Sequence, residues 1–217
     1  MVKYSIIFFD LDGTITDPFV GITKSIQYAL SKLGIDEPNP ANLIPFIGPP
    51  LHVSFERFYH FNPPQVEQAV EYYREYYKKT GIYESELYEG IPRLLQYLKE
   101  ESRQLVVATS KPTVFAKQIL NHFDVDQYFD LVVGSHLDGT RSNKAEIVEY
   151  AIRQYGDAPK ADFVMVGDRE YDIIGANANG IDSIAVMYGY GSREEFVKAN
   201  STYIADSVDD LSRILSR

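Results

Sequence analysis

The stretch IIFFDLDGTITD, residues 6–17, decides how the rest of the chain is read. Ile6, Ile7, Phe8 and Phe9 run without a break into Asp10, Leu11, Asp12, Gly13 and Thr14, with Asp17 close behind. A short unbroken apolar run is the pattern of a strand covered on both faces, as in a parallel sheet. Its acidic end admits three readings: a calcium loop, a turn that happens to be acidic, or a nucleophile with a helper. A calcium loop counted from Asp10 needs Gly at its sixth position and Glu at its twelfth, where this chain has Ile15 and Gly21. A strand also precedes the loop where a helix is required. The calcium reading fails.

Composition narrows the class of protein. The chain has 217 residues, enough for one ordinary domain or a domain carrying a sizeable insertion. It is 45% hydrophobic with 17 Tyr and 12 Phe, so it can bury a real core. Its net charge of −10 argues against nucleic acid or an anionic membrane as partner, since both reward clustered Lys and Arg. A small anionic substrate remains compatible, because a local site can oppose the global charge. There is no cysteine, which excludes disulfides, thiolate metal sites and a cysteine nucleophile. The apolar run near the N-terminus is too short to span a bilayer, and no small-residue cleavage site follows it. The expected location is the cytoplasm. The oligomeric state, monomer or homodimer, stays open.

Outward from the opening stretch, further apolar runs recur at 104–109 (QLVVAT), 130–134 (DLVVG), 162–166 (DFVMV) and 183–187 (SIAVM), and read as buried strands. Between them, 112–123, 143–155 and 171–180 carry apolar residues at helical spacing, with Ser142 or Asn143 as a cap and Gly180 as a stop. This alternation predicts an α/β fold, a doubly wound parallel sheet. From about residue 18 to 82 the rhythm breaks: 22–34, 48–61 and 64–81 read as helices and no strand is convincing. A helical module is therefore expected between the first strand and the rest of the sheet. The predicted division is 1–17 with 83–217 as core and 18–82 as insertion, and the core resumes through a helix at 90–101.

In an open parallel sheet ligands bind beyond the carboxyl ends of the strands. At those ends, or at the helix starts that follow, stand Asp10 and Asp12, Thr109 and Ser110, Lys144, and Asp168 with Asp172. Taken singly each has an ordinary reading: a strand-end threonine, an exposed lysine, a carboxylate favouring a helix start. Together they form the set that phosphoryl transfer through a carboxylate requires. One carboxylate attacks phosphorus to give an aspartyl-phosphate. A hard divalent ion on oxygen ligands neutralises the meeting anions. An ammonium, a hydroxyl and backbone N–H groups hold the remaining oxygens. A second carboxylate protonates the leaving alkoxide and later activates water.

With these residues in place the chain resembles the haloacid dehalogenase superfamily, in its phosphoglycolate-phosphatase-like branch. FFDLDGTITD is similar to that superfamily's first motif, LVVATSK to its second, Lys144 in RSNKAEIVEYAI to its third and VMVGDREYD to its fourth. The resemblance implies that Asp10 is the nucleophile and Asp12 the general acid/base. It implies that Mg²⁺ is held by Asp10, the Asp12 carbonyl and Asp168, with Asp172 behind the ion or binding it occasionally. It gives phosphate to Thr109 and Lys144, assisted by backbone N–H groups of Leu11, Asp12 and Ser110. The inserted module resembles the helical cap of this branch, which closes over the site and contributes substrate contacts. The implied activity is a Mg²⁺-dependent phosphomonoesterase acting on a small phosphorylated metabolite, similar to phosphoglycolate phosphatases and 5′-nucleotidases.

Two other functions fit part of this pattern. A sugar phosphomutase uses the same core but returns the phosphoryl group to its substrate. A phospho-accepting switch also gathers acidic residues, a hydroxyl and a lysine around Mg²⁺, but it lacks a helical insertion, and a general acid at Asp12 would hydrolyse its acyl-phosphate. Within the insertion, the Gly-Pro-Pro turn at 48–50, His52 and Arg57 are candidates for substrate contact. The tyrosines of EYYREYYKK, 71–79, are expected to pack between helices. The glycines of YGYGSREEF, 188–196, are expected to shape a turn near the mouth of the site.

Overall fold

The computed structural model describes residues 4–216. In chain order the elements are β1 (Ile6–Phe9), β2 (Thr16–Asp17), α1 (Phe19–Lys32), α2 (Leu51–Tyr59), α3 (Pro63–Lys79), β3 (Glu86–Leu87), α4 (Ile91–Glu100) and β4 (Gln104–Pro112). There follow α5 (Thr113–His122), β5 (Leu131–Ser135), α6 (Lys144–Arg153), β6 (Phe163–Gly167), α7 (Glu170–Ala178), β7 (Asp182–Val186), α8 (Arg193–Lys198), β8 (Tyr203–Ala205) and α9 (Val208–Leu215). Two compact units result, one from the residues up to Asp17 with those from Leu87 onward, the other from Pro18–Glu86.

The first unit is an α/β fold around a six-stranded parallel sheet in the order β5-β4-β1-β6-β7-β8. β1 is central and all four of its residues are buried, which is why its sequence is apolar throughout rather than alternating. From β1 the chain steps through β4 to β5, then crosses back to β6 and continues outward through β7 to β8. Right-handed crossovers in these two directions place helices on both faces of the sheet. The reversal falls between β1 and β6, the topological switch point at which such sheets open a crevice. Pairing of Phe9 with Val107 on one side and Val166 on the other fixes Asp10 at the mouth of that crevice.

On one face Ile6 and Phe8 meet Val106, Val133, Phe163 and Met165 beneath Ile147, Val148 and Ala151 of α6 and Ala176 of α7. Phe8 stands edge-on to Phe163 with ring centroids 5.6 Å apart. Asn143 caps α6, its side chain accepting from the Ala145 amide, and Gly180 follows α7 with φ of 67°. Four strands exceed the sequence expectation, among them β2 and β3, which pair with each other as two-residue strands. β8 is a three-residue edge strand, too short to give an apolar run. β4 runs on past Thr109 to Pro112 through a register shift, so that Pro112 pairs with Ser135. The Gly134 amide donates to Thr113 Oγ1 at 2.9 Å and Ser135 Oγ donates to the Ser110 carbonyl at 2.9 Å, which holds the extension in place.

The second unit is helical. Asn62 and Gln65 form a reciprocal capping box at the start of α3, with prolines in its first turn. Tyr73 and Tyr77, one turn apart, are buried and stacked at 5.1 Å, so the tyrosine-rich stretch serves packing. Tyr76 packs on Tyr28 and donates to Glu84, which also pairs with Lys24. Phe46, Phe55 and Phe61 form an aromatic cluster around α2. His52 and Arg57 both lie on its exposed side.

Phe163 links the sheet to the α6 side of the core. Phe163→Ala should lower unfolding free energy by about 3–5 kcal/mol, the usual cost of emptying a buried aromatic site. Denaturant unfolding monitored by circular dichroism measures it.

Candidate active site

The loop after β1 is wound tightly on one carbonyl. Leu11 O accepts from the amides of Thr14, Ile15 and Thr16, at 3.3, 2.9 and 3.0 Å, and the Gly13 amide donates to Thr16 O at 2.7 Å. This turn needs φ of +86° at residue 13, and a Cβ there would stand 2.1 Å from an Asp168 oxygen. Only glycine satisfies both demands. The Asp10 amide donates to Val166 O at 2.9 Å, tying the first acidic position to β6.

Two buried ammonium groups divide the carboxylates between them. Lys144, at the first turn of α6, lies 2.9 Å from Asp10 Oδ1 and 2.7 Å from Asp172 Oδ1, and donates to Ala108 O at 3.0 Å. Burial alone would lower its pKa, but the charges of Asp10 and Asp172 outweigh that and hold it above an ordinary lysine. Lys111, on the extension of β4, lies 2.6 Å from Asp12 Oδ2 and 2.9 Å from Oδ1. Burial raises the Asp12 pKa above the ordinary aspartate value, with Lys111 opposing the shift.

Asp168 ends β6 and is fully buried. It accepts from Thr14 Oγ1 at 3.3 Å and from the Tyr190 amide at 2.9 Å. Desolvation, then the neighbouring charges of Asp172 and Asp10, push its pKa well above the usual range. Asp172 accepts from the Arg169 amide at 3.1 Å, fixing the start of α7. Gly167 makes room for it, since a Cβ there would stand 2.2 Å from the Asp172 carboxyl carbon. Desolvation above all raises Asp172 to about 6, against the opposing charge of Lys144.

Asp10, Asp168 and Asp172 each offer an oxygen, all within 4.8 Å of one another. Asp10 Oδ1 and Asp172 Oδ1 are buried and accept no hydrogen bond of good geometry despite their closeness to Lys144. Buried carboxylate oxygens left in this state, in an all-oxygen set, suit a hard divalent cation such as Mg²⁺. The Asp12 side chain stands with Lys111 outside this group, so the carbonyl of Asp12 is the part of that residue suited to the ion.

Of the other expected positions, Thr109 is buried and its Oγ1 accepts from the Lys111 amide at 3.2 Å. Ser110 follows it on the β4 extension, and Leu11 forms the buried hub of the loop. Sequence reasoning missed Lys111 as a site residue, although it stands in the quoted LVVATSK, because its reach to Asp12 depends on the extra length of β4. It also missed the tyrosines of 188–191. Tyr188 OH donates to Thr14 O at 3.1 Å, Tyr190 OH donates to Asp17, and Tyr88 meets Tyr188 edge-on at 4.9 Å. Burial, with the nearby carboxylates, keeps all three phenols protonated.

Residues 7–186 match the family model described as haloacid dehalogenase-like hydrolase. The chain is 44% identical over 214 residues to a 5′-nucleotidase of Pseudomonas aeruginosa, covering 99% of this chain and 96% of that one. It is 36% identical over 213 residues to the tyrosine-protein kinase PtkA of Mycobacterium tuberculosis, covering 97% of this chain and 72% of the relative. A solved structure of a predicted phosphatase from Clostridium acetobutylicum superposes with a TM-score of 0.95 at 47% identity, covering 98% of each chain. The chain belongs to the haloacid dehalogenase-like hydrolase family and is an enzyme of that family.

The raised carboxyls set a pH dependence. The stability contributed by Asp172 is fully present below its ordinary value of 3.8 and is lost as pH rises through about 6. Asp168 shifts in the same direction, so the metal-free protein carries this electrostatic penalty at neutral pH. Mg²⁺ should therefore raise the melting temperature more at about pH 7.5 than at about pH 5, where protons compete for the same oxygens. Thermal shift with and without Mg²⁺ at the two pH values checks this.

Proposed function

We propose that this hydrolase is a Mg²⁺-dependent phosphomonoesterase that works through an aspartyl-phosphate on Asp10. The observation that carries this reading is the separation of two carboxylates two residues apart. Asp10 shares Lys144 with Asp172, whereas Asp12 pairs with Lys111. Carboxylates placed in distinct environments can take distinct chemical roles. Asp10, at the end of β1 in the crevice, is the nucleophile. Asp12 delivers a proton to the leaving oxygen and then takes one from the attacking water. Thr109, Lys144 and the amides of Leu11, Asp12 and Ser110 bind the phosphoryl oxygens.

Asp10, Asp168 and the Asp12 carbonyl would hold Mg²⁺, with Asp172 supporting, and the ion would supply the positive charge that two meeting anions need. The proposed substrate is a small phosphorylated metabolite. The likeness to a protein named 5′-nucleotidase puts nucleoside 5′-monophosphates first among the candidates, ahead of phosphoglycolate. The helical unit is proposed as the cap that selects among them. We place the enzyme in the cytoplasm; among the described residues no helix is long and apolar enough to cross a membrane.

Phosphate release from p-nitrophenyl phosphate, with and without Mg²⁺, tests the reading. Turnover should require the ion and vanish in Asp10→Asn. Asp12→Asn should lose about 10²-fold or more in kcat, the scale of a general acid/base. Undiminished turnover in Asp10→Asn would remove the nucleophile from the mechanism. A panel of nucleoside monophosphates, phosphoglycolate, sugar phosphates and phosphotyrosine then ranks substrates by kcat/KM.

A further inference from the structure

The two site lysines differ in their surroundings. Lys144 donates to Ala108 O at 3.0 Å and stands as an ion-pair partner 2.9 Å from Asp10 and 2.7 Å from Asp172. It is built into the carboxylate cluster. Lys111 instead spans both oxygens of Asp12. Its side chain is 6% exposed, so this is a buried pair and not a surface ion pair.

The pair also opposes the chemistry proposed for Asp12. A general acid must bring one oxygen within hydrogen-bond reach of the leaving group, and here the Lys111 ammonium lies against both. Each oxygen keeps a second lone pair, but a cation against both disfavours the protonated form that a general acid must reach, so turnover is helped by opening one contact. Opening it unaided would strand a buried charge, which is costly. An incoming phosphoryl oxygen removes that cost, because the ammonium exchanges one charge-assisted contact for another. Position favours the exchange: Lys111 follows Thr109 and Ser110 on the same extended strand end, beside the residues proposed to bind phosphate.

We propose that Lys111 is a substrate-positioning residue whose ammonium holds Asp12 in the free enzyme and passes to a phosphoryl oxygen of the bound phosphomonoester, freeing an Asp12 oxygen for the leaving group. No covalent bond changes in this step; one ion contact replaces another. The inference rests on the phosphatase reading above and assigns a role in it to a residue outside the set that the resemblance supplied.

The test uses the full chain with Mg²⁺, p-nitrophenyl phosphate as substrate and inorganic phosphate as binding probe. Lys111→Met should raise KM about tenfold or more and weaken calorimetric phosphate binding to match, the scale of one hydrogen bond to a charged group. Lys111→Arg should recover most of both losses, because it restores the cation. Lys111→Gln, which keeps a neutral donor beside Asp12, should behave like Lys111→Met and serves if the latter folds poorly. Phosphate binding and KM unchanged on loss of the cation would overturn the proposal, as would an Arg variant no better than Met. Failure of the underlying reading looks different: wild-type protein with Mg²⁺ would show no turnover, or Asp10→Asn would retain it.

Discussion

One ammonium lies between two carboxylates drawn from distant parts of the chain. Lys144 opens α6 and reaches Asp10 at the end of β1 and Asp172 in the first turn of α7. All three side chains are buried, and buried charge is tolerated only when it is paired. The packing of α6 and α7 on one face of the sheet and the position of the acidic loop are thus mutually dependent. Asp168 joins the same group without a lysine of its own, and its raised pKa marks the remaining electrostatic strain. A divalent cation is the natural relief for that strain.

The topology puts this cluster where it is. The direction in which strands are added to the sheet reverses between β1 and β6, and the crevice at such a reversal opens at the carboxyl ends of the strands. Asp10 and Asp168 end those two neighbouring strands. Close approach of the loops is then a steric matter. Glycine at 13 and 167 leaves space that the Asp168 and Asp172 carboxylates fill.

Lys111 adds a second centre of positive charge and gives the site an internal division. Three of the four buried carboxylates are paired with two ammonium groups, Asp10 and Asp172 with Lys144 and Asp12 with Lys111. Asp10 and Asp12, two residues apart, are thereby kept in different surroundings. Lys111 lies on the part of β4 beyond the register shift that follows Ala108.

The local sequence determined the strands with long apolar runs, their alternation with helices, and the acidic loop after the first of them. Those features are readable because burial on both faces leaves an unbroken apolar signature, and because turns and helix starts favour particular side chains. Asp10, Asp12, Asp168, Asp172 and Lys144 were legible as a set because each falls at a strand's carboxyl end or at the next helix start. The edge strand β8 was not, being three residues long, nor was the extension of β4, which is held by the bond from Ser135 to Ser110 and, just past its end, by that from Gly134 to Thr113. Only the tertiary structure decided that Lys111 meets Asp12 and that Tyr190 lends its amide to Asp168. Those contacts join residues 99 and 22 positions apart, and no local spacing carries information about a distance that only the folded sheet closes.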